Sequence, residues 1–567
     1  MKKYRFKSFA LGCLIMISAS DLSKAQVSFQ WARHFEGINL IEGYAIAVDN
    51  SGNVYTSGVF SGTGDFDPGS GVANLTSAGF QDIFISKLDA SGNFVWAKQM
   101  GGAEFDFGIS VEVDAAGNVY TTGAFSGTVD FDPGVGVSNL TSFGSSDIYV
   151  SKLDPSGNFI WVKQLGGIDY EQANSIVLDP SGNIFITGTF EGTADFDPGS
   201  GTNNLTPVAG GDVYICKLDA SGNFGWVKQI GGNGFDFCGS LDIDASGNLY
   251  FAGAFEGSVD FDPGAGNTTL TAAGFSDSFV SKLDASGNFI WARNFSGADY
   301  ETAFSVAVDI SGNVFVTGTF DGTSDFDPGS GVNNLTSAGF QDIFVAKLNT
   351  SGNFVWAHQL GSVADDYGNS VAVDATGNLY LAGYFQTTVD FNPGAGTNAL
   401  TSFGENDIFV AKFDPSGNFV WVNRMGGADF DYAYSVDVDA TGNICTTGGF
   451  GDIADFDPGA GVTNLTALGR VNAFVHKLSG SPLDVNEYAT GQFPVIYPNP
   501  NNSGLFTIVL QEEVKITITD ASGRWVMTKM FAAGENTLFL KDQPNGFYFL
   551  QLWNDSQVLN YKLVLNR

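Results

Sequence analysis

The sequence predicts an all-β protein, a seven-bladed β-propeller followed by a small β-sandwich. Three observations lead there: a strict 65-residue repeat, four strand-like segments in each repeat with no helical segment between them, and a chain start that supplies the strand missing from the last repeat.

The repeat is marked by Asp-Phe-Asp-Pro-Gly, which begins at Asp65, Asp130, Asp195, Asp260, Asp325 and Asp455, with Asp390-Phe-Asn-Pro-Gly filling the one gap. Tryptophans keep the same step at Trp31, Trp96, Trp161, Trp226, Trp291, Trp356 and Trp421. Within one repeat the apolar pattern predicts strands at Gly108 to Asp114, Asn118 to Phe125, Asp147 to Asp154 and Asn158 to Gln164. The first two join through Asp114-Ala-Ala-Gly-Asn118 and the last two through Asp154-Pro-Ser-Gly-Asn158. An Asp that can accept backbone N–H groups and a Gly free to take positive φ make these turns hairpins. Closing such a ring protects the strand edges. The ends of the repeat region agree: the strand Val27 to Phe35 precedes the first repeat, and the last repeat stops after its third strand at Leu478. A linear solenoid would instead need polar caps, which the ends do not provide.

Composition fits many short strands joined by tight turns, with 74 Gly, 51 Phe and only 15% charged residues. The net charge is −36, and residues 27 to 480 hold 14 basic and 52 acidic residues of the total. Such a field repels nucleic acid and anionic membrane and attracts cations. The N-terminus, with Lys2, Lys3, Arg5 and Lys7, an apolar run from Phe9 to Ile17 and small residues at Ser23 and Ala25, reads as a secretory signal over residues 1–25, cleaved after Ala25. Cys13 offers a lipoprotein alternative, but the apolar run before it is short. No other stretch is long and apolar enough to span a bilayer. Cys216, Cys238 and Cys445 sit at repeat positions that other residue types fill elsewhere, so they are expected as small buried hydrophobes and not as a disulfide framework.

The runs Asp49 to Phe60 and Asp82 to Asp89 resemble the SBBP-type bacterial β-propeller repeat, over roughly residues 27 to 480. That resemblance implies a fold and is nearly silent on activity. A polar linker, residues 481–492, follows. Residues 493–567 show short alternating strands, read as a β-sandwich: Leu505 to Leu510, Val514 to Asp520, Arg524 to Lys529, Gly546 to Leu552 and Val558 to Leu565. Tyr497-Pro-Asn-Pro500, Ile516 to Gly523, Asn545 to Leu552 and Lys562 to Arg567 resemble the type A sorting domain of the type IX secretion system. The resemblance implies that the secretion machinery is a partner and that the protein is released or held at the outer-membrane surface. An accessory carbohydrate-binding sandwich would share the strand pattern.

Candidate chemistry concentrates on one face of the ring, where the loop between strands two and three and the blade-to-blade connections emerge. In Asp-x-Asp the two carboxylates point the same way, and the Asp opening strand three adds a third. The hard-cation reading is one Ca²⁺ per blade, held by Asp65, Asp67 and Asp82; Asp130, Asp132 and Asp147; Asp195, Asp197 and Asp212; Asp260, Asp262 and Asp277; Asp325, Asp327 and Asp342; Asp390 and Asp407; and Asp455 and Asp457. The bland reading is that these carboxylates cap loop N–H groups. A second acidic ring, Asp106, Glu171, Asp236, Glu301, Asp366 and Asp431, precedes strand one and is expected at the mouth of the central channel, where it would capture a cationic ligand. Asn392, Asn472 and Ile41 replace the acid in single repeats.

His34, His358 and His476 occupy unrelated repeat positions and assemble neither a triad nor a zinc site. No blade carries a distinctive carboxylate pair for glycoside chemistry. Asn-Leu-Thr at Asn74, Asn139, Asn204, Asn334 and Asn464 matches a glycosylation acceptor but reads as an extended loop segment. A secreted or cell-surface platform that binds a glycan or protein is therefore the leading expectation, with a carbohydrate-active glycosidase or lyase and a structural coat protein as alternatives.

Overall fold

The computed structural model describes residues 27–480, 495–497, 503–510, 513–520, 524–553 and 558–565; the expected signal segment and linker lie outside these. It divides into two units, Met1–Ser481 and Pro482–Arg567.

Strand pairing in the first unit gathers the repeats into seven four-stranded antiparallel meanders. In the second repeat the strands are Asp106–Val113, Val119–Phe125, Asp147–Leu153 and Phe159–Gly167, within three residues of the sequence expectation. The N-terminal strand Phe29–His34 pairs antiparallel with Asn472–Leu478, Phe29 opposite Leu478 and His34 opposite Phe474, and so completes the seventh meander. Ser479 N–H donates to Ser28 O at 2.9 Å just beyond that ladder. The innermost strands of neighbouring repeats touch all the way round, Ile41–Val48 against Asp431–Val438 included. The ring is closed.

Seven apolar clusters, one for each pair of neighbouring meanders, hold it together. The seam between the seventh and first repeats buries Trp31, Phe35, Phe66 and Val475. Each Trp reaches the next blade: the Trp96 indole N–H donates to Pro155 O at 3.1 Å, and Gly157, at φ 75°, leaves the room its ring needs, since a Cβ there would stand 3.0 Å from the ring.

The long loop between strands two and three holds structure that the sequence pattern did not predict. Thr128–Asp130 and Asn139–Thr141 form a short hairpin, and Val129 and Asp130 pair with Gly102 and Gly101 at the end of the preceding blade's fourth strand. The Asp-Phe-Asp-Pro-Gly motif is therefore a clasp between blades. Its Phe131 is fully buried against Phe125 and Tyr149, and Asn139-Leu-Thr is the hairpin's second strand.

The second unit is two sheets around one core that includes Phe506, Ile516, Leu538 and Leu550. Val495–Tyr497 and Gly534–Phe539 join the sheet of Leu505–Leu510 and were not expected, the first being too short and the second too polar for periodicity to register.

Candidate functional site

Three acidic sets were expected to carry chemistry, and the structure gives each a definite place. In Asp-Phe-Asp, Asp65 Oδ1 accepts the N–H groups of Asp67 at 3.0 Å and Ala73 at 2.8 Å, while Asp67 Oδ1 accepts that of Gly69 at 2.8 Å. The same bonds recur at Asp130 and Asp132, Asp195 and Asp197, Asp260 and Asp262, Asp325 and Asp327, Asp455 and Asp457, and at Asp390 with Asn392. These carboxylates hold the clasp in shape. Among the described residues no three Asp, Glu, His or Cys side chains converge as metal ligands would. The acids of the Ca²⁺ reading, three in each of the first five repeats and two in each of the sixth and seventh, are thus not gathered into three-carboxylate clusters among the described residues. The reason is local: the Asp-Phe-Asp carboxylates are taken up by N–H donors of the loop's own backbone.

The strand-three acids sit elsewhere, sealed in the seams. Asp82, Asp147, Asp212, Asp277, Asp342 and Asp407 are fully buried. Asp82 Oδ2 accepts from Ala78 N–H at 2.9 Å and Gln99 Nε2 at 2.7 Å, and Oδ1 has no partner. Oδ1 of Asp212, Asp342 and Asp407 is likewise unpartnered. The seventh repeat shows what these atoms need. There Asn472 takes the position, accepts Leu468 N–H through Oδ1 at 2.8 Å, and donates through Nδ2 to Gly37 O at 3.1 Å. An amide is the isostere of a protonated carboxyl, and only a protonated Asp can make that second bond.

The ring Asp106, Glu171, Asp236, Glu301, Asp366 and Asp431 is corrected by the structure. These residues do not stand at an open channel mouth, because every one is at most 1% exposed. Asp106 Oδ2 accepts Gly102 N–H at 2.7 Å and Oδ1 accepts Ser126 N–H at 3.2 Å, so the side chain ties one blade's last strand to the next blade's loop. Sequence parity placed them on the right face but could not show that the loops fold over them. Burial, with the neighbouring Asp82 charge adding to it, pushes the Asp106 carboxyl up to about 7; in the same way Glu171 and Asp431 rise to about 8 and Asp236, Glu301 and Asp366 to about 7.

Asp49 and Asp114, in the hairpin turns, behave oppositely. Burial alone would raise Asp49, but the bonds it accepts from Asn53, Ser51 and Tyr55 hold it below the ordinary carboxylate range. Cys216, Cys238 and Cys445 are free and buried, packed as small hydrophobes.

What the sequence reasoning missed is aromatic. Phe80 and Phe105 stack at 5.0 Å and 10°, and Phe275 and Tyr300 at 4.8 Å and 9°, with exposures of 61, 45, 62 and 48%. They flank parallel bridges such as Gln81 with Phe105 and Ser276 with Tyr300, which join the start of one blade's third strand to the start of the next blade's first. They therefore lie on the long-loop face. The signal was available, because positions equivalent to Phe105 hold Tyr170, Phe235, Tyr300 and Phe430.

Two family models match parts of the chain. Residues 495–566 match the secretion system C-terminal sorting domain, and residues 160–189 and 355–391 match the β-propeller repeat of the SBBP type. An uncharacterized WD repeat-containing protein of Acanthamoeba polyphaga mimivirus is 25% identical over 77% of this chain, which spans 37% of that protein's length. Among solved structures, Sqt1 from Chaetomium thermophilum aligns with TM-score 0.39 and 12% identity over 80% of this chain and 100% of that one. The Cps50 (Swd1) β-propeller domain of Myceliophteria thermophila aligns with TM-score 0.37 and 9% identity, over 80% and 99%. No helix among the described residues is long and apolar enough to cross a membrane. The chain is a β-propeller bearing SBBP-type repeats, followed by a type IX secretion sorting domain that directs it to secretion or attachment at the cell surface.

Proposed function

We propose that the propeller is a non-catalytic extracellular binding platform, delivered by its sorting domain, whose working surface is the long-loop face. The observation that carries this reading is the set of exposed, pairwise-stacked aromatic rings at the blade seams, Phe80 with Phe105 and Phe275 with Tyr300. Apolar rings left in water are costly unless a partner covers them, and stacking in pairs presents flat surface with little loss of freedom on binding. The carboxylate pairs that the fold does assemble, such as Asp82 beside Asp106, are sealed from solvent, which supports a binding role over hydrolysis.

The test is adhesion of the mature full chain to glycan and protein arrays, compared with a Phe80→Ser, Phe105→Ser, Phe275→Ser, Tyr300→Ser variant. Loss of binding with an unchanged melting midpoint is the expected result. Undiminished binding by the variant would overturn the assignment of this face.

A further inference from the structure

Seven near-copies about an axis give a nearly symmetric wall, so a cluster that departs from the repeat marks where one specific ligand can be told from seven equivalent ones. Such a cluster spans the sixth, seventh and first repeats. Tyr384 stands where the other six repeats carry Val59, Ala124, Thr189, Ala254, Thr319 and Gly449. Tyr367 and Tyr432 pack against it, and Tyr434 and then Tyr44 continue the row of rings from Tyr432.

The rings of Tyr432 and Tyr434 lie parallel at 5.9 Å and 7°. Tyr384 meets Tyr432 edge-on at 4.7 Å and 85°, Tyr44 meets Tyr434 at 5.7 Å and 71°, and Tyr367 stacks on Tyr384 at 4.9 Å and 16°. Glu42 accepts the Tyr44 hydroxyl at 3.0 Å and the Tyr434 hydroxyl at 3.5 Å. All six side chains are partly exposed. Tyr44 and Tyr434 occupy equivalent positions in neighbouring repeats and touch, which places them close to the ring axis. The residues that follow them, 45–47 and 435–438, line an axial cavity of about 310 Å³ to which all seven inner strands contribute. Its wall carries Glu112, Asp242 and Asp437 at one repeat position, where the other repeats have Ala or Val.

We infer that the axial channel is a binding site for an organic ammonium cation, received by Glu42 and the tyrosine faces and drawn by Glu112, Asp242 and Asp437 deeper in the same channel. The inference rests on the binding-platform reading and names a ligand class for it. Aromatic faces attract alkylammonium groups and do so most strongly where water is displaced, whereas a small hydrated metal ion gains little from them. The propeller already uses this chemistry on its own lysines: the Lys282 ammonium lies 4.5 Å from the Tyr250 ring centroid and 3.8 Å from Asp244, and Lys412 repeats the pattern with Tyr380 and Asp374 at 4.8 and 3.9 Å. The excess of 52 acidic over 14 basic residues in residues 27–480 supplies the long-range attraction. Arg470 lies in the field of Glu42 and offsets part of its burial-driven rise, so it competes with an arriving cation. Five residues separate Glu42 from the level of the deeper carboxylates, roughly 15 Å of extended strand, so a ligand with two charges reaches both stations.

Calorimetric titration of the mature full chain with spermidine, tetramethylammonium chloride and MgCl₂ tests this. Saturable binding of spermidine, with weaker binding of tetramethylammonium and none of matched affinity for Mg²⁺, is expected. Glu42→Gln or Tyr432→Leu should weaken both organic cations at least tenfold, and Tyr434→Leu replaces Tyr432→Leu if the latter fails to fold. Glu112→Gln combined with Asp242→Asn and Asp437→Asn should weaken spermidine and spare tetramethylammonium, while Arg470→Gln should tighten both. Burial raises Glu112 to about 8, with Asp437 and Asp242 adding to the rise, so spermidine binding at pH 7 should release protons, read from the dependence of the heat on buffer ionisation. Non-saturable binding, or spermidine affinity that Mg²⁺ matches and the Glu42 and tyrosine variants leave unchanged, would overturn the inference. If spermidine fails while the Phe80, Phe105, Phe275, Tyr300 variant still abolishes adhesion, the ligand class falls and the platform stands.

Discussion

Asp342→Asn should stabilise the ring, and more so as the pH rises. Asp342 is fully buried; its Oδ2 accepts from Ala338 N–H at 2.8 Å and Gln359 Nε2 at 2.5 Å, and its Oδ1 has no partner. Burial pushes this carboxyl up to about 6, against those two bonds, and its charge helps raise Asp366 to about 7. A carboxyl that holds its proton more tightly in the folded state favours folding fully only below its unfolded value near 4, and that contribution is lost as the pH climbs through 6. Converted in full, the difference is on the order of 3 kcal/mol, and screening by nearby solvent reduces the expected gain to ~1–2 kcal/mol. Asparagine keeps the acceptor and adds the donor that Asn472 already uses in the seventh repeat. Thermal melts of wild type and variant between pH 4 and 8.5 would read it, with midpoints converging at pH 4 and the variant higher above pH 6. A variant less stable at every pH, or a difference that does not change with pH, would refute the argument that the seam acids carry a proton.

Three further outcomes follow from the same contacts. Asn472→Asp should destabilise the ring increasingly above pH 6, with midpoints measured in the same melts, because it introduces a seventh buried carboxyl beside Gly37 O. Asp49→Ala should cost about 1–3 kcal/mol at pH 7 in urea titration, and the difference should shrink in acid, since a carboxyl held below its ordinary value loses its contribution as the pH falls through it. Trp31→Ala should cost about 3–5 kcal/mol in the same assay, because it removes a buried ring and its bond to Ala90 O at the seam where the chain ends meet; an unaffected midpoint would deny that this seam closes the ring.

The architecture was legible because repetition multiplies weak signals. One Asp-x-x-Gly-Asn turn is a modest hint, but the same turn at Asp49, Asp114, Asp179 and onward fixes the hairpins in register, and the unpaired strand at Trp31 then has one place to go. The clasp hairpin escaped because three-residue strands such as Thr128–Asp130 are too short to show a period. The seam acids were misplaced for a different reason: an Asp in a sequence carries no sign of whether loop backbone will close over it, and Asp106 and Asp65 look alike until their donors are known. Repetition alone says little about function. Asp65, Asp82 and Asp106 drew attention because they recur, yet a residue required in every blade is most simply required by the blade, as the clasp and seam bonds bear out. A ring can distinguish one ligand only where its copies differ, and the positions that differ, Glu42, Tyr384 and Tyr434 in the tyrosine cluster and Glu112, Asp242 and Asp437 on the axial wall, carry no repeated motif. In a symmetric scaffold, chemistry should be sought in the departures from the repeat.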